Sequence, residues 1–276
     1  MVSFDPTLLD AETALAILAS LRLPNEIALC ILDQAQYWIK DEYNCEEHTL
    51  LIDGAWSLDY SAVYPYLCVR AYPQLQGRHL QLREITFTIV SHDQGWTTED
   101  TQGTYQTSSW FEVSIIRPNM ASSDLLEPGL RLLRDMNIRG DIVDGVKVAF
   151  DIIHSDGRFE LVRRPSSDFE PQRVHCTEMM QVNSQGEKEG EYAWYLQGNE
   201  VARKKSVFEG EMIKRYRVTW GCKHNPVQVT NEGAGSGDGF IDSIEKDDYI
   251  CVWARAKRRG WENQIYGVRM VMRYMI

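Results

Sequence analysis

Four side chains in this sequence could move protons or hold charge in a reaction: His92, Asp93, Glu112 and Arg255. A carboxylate beside an imidazole tunes it toward neutral pH, and a guanidinium stabilises developing negative charge, so the set suits acid–base chemistry on a small molecule. The segment Ser91-His92-Asp93-Gln94-Gly95-Trp96 also reads as a binding loop. Asp93 and Gln94 can hydrogen-bond hydroxyls while Trp96 offers an apolar face to a sugar ring or planar ligand. Trp110 and Glu112 share one parity of an extended segment, so both side chains could converge on that loop. Trp261 and Asn263, in a second Gly-Trp segment, complete the candidate ligand-binding set. The structural alternative has Asp93 capping a turn, Gly95 at positive φ and Trp96 closing the end of a core.

Other motifs carry weaker chemistry. Gly233-Ala234-Gly235-Ser236-Gly237-Asp238-Gly239 lacks the Lys-Ser/Thr of a phosphate loop and any βαβ surroundings, so it reads as a flexible inter-strand loop. The nearby Asp238, Asp242, Asp247 and Asp248 do not have EF-hand spacing and read as a solvated acidic face. His175-Cys176 and Cys222-Lys223-His224 lack zinc-finger spacing, and the six cysteines never form C-x-x-C. The expectation is six free thiols, no metal and no cofactor.

The elements that must position these residues are mostly strands. Ile85, Phe87 and Ile89, then Phe111, Val113 and Ile115, recur with period two, as do Tyr216, Val218 and Trp220 together with Met212. Ile250, Val252 and Ala254, and Val268, Met270, Met272 and Tyr274, follow the same pattern. Val146, Val148, Phe150 and Ile152 predict a further half-buried strand, joined through Asp156-Gly157 to Phe159 and Leu161 as a hairpin. Helix is expected before about Lys40: Leu15, Leu18 and Leu21 recur at spacing three, and after Pro24 the residues Ile27, Ile31, Ala35 and Trp38 fall on one helical face. Leu130, Leu132 and Leu133 suggest a short helix in the connection 117–145.

This pattern predicts a mainly β chain, an antiparallel β-sandwich or jelly roll with a short helical N-terminus. The two Gly-Trp segments, each followed by a strand, suggest two related halves. The expected division is a helical segment over 1–45, a first β half over 46–145 and a second over 146–276. Trp96 and Trp261 would then occupy comparable loops at one end of the scaffold.

Forty acidic against 29 basic residues give a formal net charge of −11. That field repels phosphate backbones and anionic lipid heads, which argues against nucleic acid and membranes as partners. No apolar run approaches the roughly 18 residues of a membrane helix, and the start of the sequence lacks the basic-then-apolar order of a signal peptide. A cytoplasmic protein is expected.

Two resemblances add to this. Leu23-Pro24-Asn25-Glu26-Ile27 followed by Ile31-Leu32 resembles the start of an F-box, which implies a ubiquitin-ligase adaptor as partner. A broader resemblance rests on the run Phe87 to Trp96, Gly103-Thr104-Tyr105, Trp110-Phe111-Glu112, Trp194-Tyr195-Leu196-Gln197, Gly237-Asp238-Gly239-Phe240, Trp253-Ala254-Arg255-Ala256 and Gly260-Trp261-Glu262-Asn263. It is similar to a family of fungal proteins with an F-box-like start and no established activity. Three functions follow as expectations: a module that binds a glycan or other polar small molecule through its Gly-Trp loops, a cofactor-independent cyclase or isomerase of fungal metabolism, or an F-box-like scaffold.

Overall fold

The computed structural model describes residues 5–55, 59–73, 80–98, 100–119, 126–142, 144–155, 157–165, 190–202, 212–228 and 231–276. In chain order the elements are α1 (Leu8–Ser20), α2 (Asn25–Gln34), β1 (Ile39–Cys45), β2 (Thr49–Ile52), β3 (Tyr60–Arg70), β4 (Gln81–His92), β5 (Ser109–Pro118), α3 (Leu126–Asp135), β6 (Arg139–Asp141), α4 (Gly145–Ile153), β7 (Phe159–Leu161), β8 (Trp194–Gly198), β9 (Lys214–Gly221), β10 (Tyr249–Lys257) and β11 (Glu262–Met275).

The strands form two antiparallel sheets. A five-stranded sheet runs β1-β11-β4-β9, with β2 also paired to β11, and a six-stranded sheet runs β6-β3-β10-β5-β7, with β8 also paired to β5. The period-two apolar residues of β4, β9 and β11 point into the space between the sheets. There Ile85, Phe87, Ile89, Val218, Trp220, Val268 and Met270 meet Phe111, Val113, Ile115, Ile250, Val252 and Ala254 of the other layer in one continuous core. The mainly β, sandwich-type fold expected from the alternation is the fold observed. β10 and β11 are consecutive but lie in opposite sheets, so the turn at Arg258–Trp261 carries the chain across the sandwich. β10 pairs with β3 and β5, and β11 with β1, β2 and β4. Residues 46–145 and 146–276 therefore contribute strands to both layers.

The six-stranded sheet is covered on both faces. Outside it, Leu126, Leu130 and Leu133 of α3 and Val146, Ala149 and Phe150 of α4 pack against Val63, Cys251 and Trp253 in a second core. As a result β5 and β10 are buried along most of their length, Glu112 and Ser114 included, where the alternation of β5 predicts a half-buried strand.

The stretch Val146 to Ile152 is helix, not the expected strand. Its apolar residues satisfy two periods at once, because Val146, Ala149, Phe150 and Ile153 also fall on one helical face. That face is the one packed inward, while Val148 and Ile152 are exposed. Val146 to Ile152 accordingly forms no hairpin with Phe159–Leu161, which pairs as a strand with β5.

The helical entry forms as expected, with Thr7 and Asp10 in a reciprocal capping box at the start of α1. Its packing differs from expectation. α2 buries Ala28 and Leu32 and leaves Ile27 and Ile31 exposed, one position round from the face expected. Trp38 lies beyond the helix end, where its indole N–H donates to Asp33 Oδ1 at 2.8 Å, and Arg83 of β4 grips the same carboxylate at 3.1 and 3.0 Å. This buttress fixes α2 to the five-stranded sheet. The polar stretch after Lys40 is mostly strand β1.

Candidate functional site

Each candidate side chain has a defined place. His92 ends β4 opposite Gln264 near the start of β11, so the Gly95-Trp96 and Gly260-Trp261 loops lie at the same end of the sandwich. Both glycines are in the left-handed region, with φ of 79° and 77°. The two tryptophans nevertheless differ. Trp96 is 65% exposed, whereas Trp261 is buried against Val201 and Ala202.

Asp93 serves the turn. Its Oδ1 accepts from Gly95 N and its Oδ2 from Ala202 N, both at 2.8 Å, so the carboxylate ties the β4 loop to the segment after β8. Burial pushes its carboxyl up to about 6, against the pull of those two backbone donors. Gln94 donates to the carbonyl of Trp96 at 2.8 Å. The ligand-facing role expected for Asp93 is corrected accordingly: both of its oxygens are committed to backbone donors inside the fold.

Glu112 and Arg255 do meet, on the covered side of the six-stranded sheet. Arg255 is fully buried and donates through Nη1 to Glu112 Oε2 at 2.6 Å and through Nη2 to the carbonyls of Asp141 and Ile142 at 2.9 and 3.2 Å. It also donates to Ser61 Oγ, and its guanidinium lies 5.1 Å from the centroid of the Trp110 ring. The Trp110 indole donates to Glu112 Oε1 at 2.7 Å. Gly145 makes room for this arrangement, since a Cβ there would collide with the guanidinium. Trp110, Glu112 and Arg255 thus form a closed, mutually satisfied cluster under α4, away from solvent.

Asn263 joins the layers. Its amide donates to the carbonyls of Trp110 and Arg255 at 3.2 and 3.1 Å, and its Oδ1 accepts from Asn199 at 3.0 Å. Asn199 also donates to Ser109 Oγ at 2.9 Å and accepts from Ser91 at 2.7 Å. All four side chains are buried, so this network stitches β4 and β11 to β5 and β10. Asn199 carried no sequence signal, because a polar residue at a strand end reads as solvated, and Ser91, at the start of the expected binding loop, is bonded to it inside the fold.

His92 is separate from that cluster. Its Nδ1–H donates to the carbonyl of Asp93, which leaves Nε2 to accept from the Tyr266 hydroxyl at 3.1 Å. Burial lowers its pKa and favours this neutral form. Tyr266 stacks on His48 with centroids 4.9 Å apart, so the phenol is held in place at the edge of an open groove.

That groove is the feature sequence reasoning missed. It lies on the outer face of the five-stranded sheet, as two contiguous depressions of about 430 and 420 Å³ that share Thr88, Arg215 and Arg269. One is lined by Lys40, Thr86, Thr88, Arg215, Arg217, Arg269, Val271 and Arg273, the other by Asn44, Glu46, Val90, Tyr266 and Gly267 beside the shared residues. Register explains the cluster: Arg269, Thr88 and Arg217 form one row across β11, β4 and β9. Arg269 is held by Glu42 at 2.6 and 2.8 Å, and Arg273 by Glu84 at 2.7 Å. The exposed guanidinium groups of Arg215 and Arg217 have no ionic or hydrogen-bonding partner among the described residues. The signal was present in the opposite parity of the same strands: Arg215 and Arg217 alternate with Tyr216 and Val218, and Arg269 and Arg273 alternate with Met270 and Met272.

The remaining motifs are structural or lie elsewhere. The Gly233–Gly239 loop is packed, not flexible: Trp220 donates to the carbonyl of Gly235 at 2.9 Å, and a Cβ on Gly237 would run into the Trp220 ring. His175-Cys176 lies outside the described residues. Among the described residues no group of three or more His, Cys, Asp or Glu is placed to hold a metal ion, and no helix is long and apolar enough to cross a membrane. No protein-family model matches the chain, and no curated protein matches it significantly.

Proposed function

We propose that the protein is a non-catalytic binding module that seats a polar small molecule or glycan on the open face of its five-stranded sheet, in the cytoplasm. The observation that carries this is the groove over Thr88, where Arg215 and Arg217, without a partner among the described residues, face solvent beside the Thr88 hydroxyl. Such a surface supplies oriented donors without a buried acid–base pair, which is the chemistry of recognition. The acid–base candidates argue the same way, since Asp93, Glu112 and Arg255 are committed to partners inside the fold. Backbone NMR titration with a panel of soluble sugars and polar metabolites tests the reading. The expected result is shifts in β4, β9 and β11 around Thr88. Shifts confined to residues 93–96 and 260–263 would return the site to the Gly-Trp loops and refute the groove.

A second reading concerns the N-terminal helices, where Leu9, Ile17, Leu21, Ile27 and Ile31 are exposed. These apolar side chains support an interaction role toward a ubiquitin-ligase adaptor. Co-purification with that adaptor, lost in Ile27→Asp/Ile31→Asp, is the expected result.

A further inference from the structure

We infer that the ligand is an anionic sugar, one that carries a phosphate or sulfate ester, with the ester held above Thr88. The inference rests on the groove being the ligand site and adds the chemistry of what enters it. Strands in a sheet lie about 4.8 Å apart, so Arg269 and Arg217, on either side of Thr88 in one row, are roughly 10 Å apart at the backbone. An oxyanion centred between them is within reach of both long side chains. Arg269 comes preorganised: Glu42 engages its Nε and Nη2 and leaves Nη1 to donate. Arg217 and Arg215 contribute free forks, and the Thr88 hydroxyl has no partner among the described residues. Planar, bidentate donors flanking a hydroxyl fit the tetrahedral oxygens of a phosphate or sulfate better than a single carboxylate.

The second depression suits the body of the ligand. Asn44 donates to Glu46 Oε1 at 2.7 Å, and both residues line this depression, so the Asn44 side-chain carbonyl and Glu46 Oε2 remain as acceptors there. Acceptors of this kind recognise hydroxyl groups, and they would repel a second phosphate. The cationic area, Lys40 and four arginines, is thus bounded by Glu42, Glu46 and Glu84 on a chain of net charge −11. This favours one ester on a polyhydroxylated body over a polyanion such as RNA.

Isothermal titration of the full chain with glucose 6-phosphate, glucose 6-sulfate, glucose and inorganic phosphate tests the inference. At least one of the two anionic sugars is expected to bind tenfold or more tighter than both glucose and phosphate, and which one does identifies the ester. Arg217→Ser should weaken that binding about 10- to 100-fold with the melting temperature unchanged. Thr88→Val should weaken it in the same direction, and Arg131→Ser on α3 should leave it intact. Glucose binding in the groove as tightly as either ester would overturn the anionic-sugar inference while sparing the proposed function. Binding that Arg217→Ser does not weaken would overturn it as well, as would a single-stranded RNA that binds tighter than either sugar. Shifts only at the Gly-Trp loops would overturn both.

Discussion

Replacing Arg255 by Met separates a structural from a solvent-facing role for the candidate residues around it. Arg255 and Glu112 are an ion pair at 2.6 Å with side-chain exposures of 0% and 6%. Removing one partner of such a pair leaves an uncompensated buried charge, which typically costs about 3–5 kcal/mol. Here the substitution strips Glu112 of its cation and the Asp141 and Ile142 carbonyls of a donor, leaving the Trp110 indole as the only other described donor to the carboxylate. Met preserves much of the arginine stem, so packing over Trp110 is largely kept and the loss is electrostatic. A domain of this kind has about 5–15 kcal/mol of stability in total, and each kcal/mol moves the melting temperature by about 2–4 °C. Arg255→Met should thus lower it by roughly 10 °C. Glu112→Leu/Arg255→Met should cost less than the two single changes added together, because no lone charge is left, although the Trp110 indole then loses its acceptor. Urea unfolding followed by tryptophan fluorescence, with ligand titration of each folded variant, measures both effects. A melting temperature within about 2 °C of the parent, with ligand binding abolished, would refute the assignment and return Arg255 to a solvent-facing site.

The remaining expectations follow from exposure and hydrogen bonding. Trp96→Ala should change stability by no more than about 0.5 kcal/mol, whereas Trp261→Ala should cost about 3–5 kcal/mol, measured by denaturant unfolding; the reverse order would exchange the roles of the two loops. The Asp93 carboxyl titrates at about 6 in the folded protein against an ordinary value of 3.8, so the folded state holds its proton more tightly. Its contribution to stability is full below about pH 4 and is lost as pH rises through 6; the stability difference between parent and Asp93→Asn should therefore shift in favour of the parent on going from pH 7 to 4.5, and a pH-independent difference would refute this. On α4, Val146→Ala should destabilise while Val148→Ala should be neutral or slightly stabilising, because only Val146 faces the second core. Equal losses at both would fit the strand that the sequence pattern suggested.

Where one face of a strand is buried and the other wet, the sequence is legible, and β4, β9 and β11 show why. Ile85, Phe87 and Ile89, or Val268, Met270 and Met272, alternate with polar residues because the core is on one side alone. Legibility fails where a second layer covers the outer face. In β5 the alternation of Phe111, Val113 and Ile115 with Glu112 and Ser114 is intact, yet Glu112 and Ser114 are buried under the helical layer. They are satisfied there by Arg255, Trp110 and Trp253, partners that no local pattern announces. The helix α4 misleads for a related reason: a nine-residue segment with apolar residues at 146, 148, 149, 150, 152 and 153 matches both periods, and only its docking on the sheet decides between them.

The same asymmetry between the sheets explains why most of the polar residues expected to form a site at the Gly-Trp loops are buried in the fold instead. A sandwich whose six-stranded sheet is covered on both faces needs polar groups inside to tie its layers together, and Asp93, Glu112, Arg255 and Asn263 meet that need, while His92 is bonded to the carbonyl of Asp93 and to Tyr266 within its own sheet. Each is buried and hydrogen-bonded to a backbone group or to another of the layers. The five-stranded sheet has no helical layer among the described elements, so its outward residues face solvent. On that face stability asks for soluble side chains of mixed sign, and Glu42, Glu84 and Lys40 supply them in pairs with their neighbours. Arg215 and Arg217 beside Thr88, none of the three with a side-chain partner among the described residues, exceed that requirement. Like charges at Arg215 and Arg217, two residues apart on one face of an edge strand, repel each other in the free protein, and an anion bound between them would relieve that repulsion.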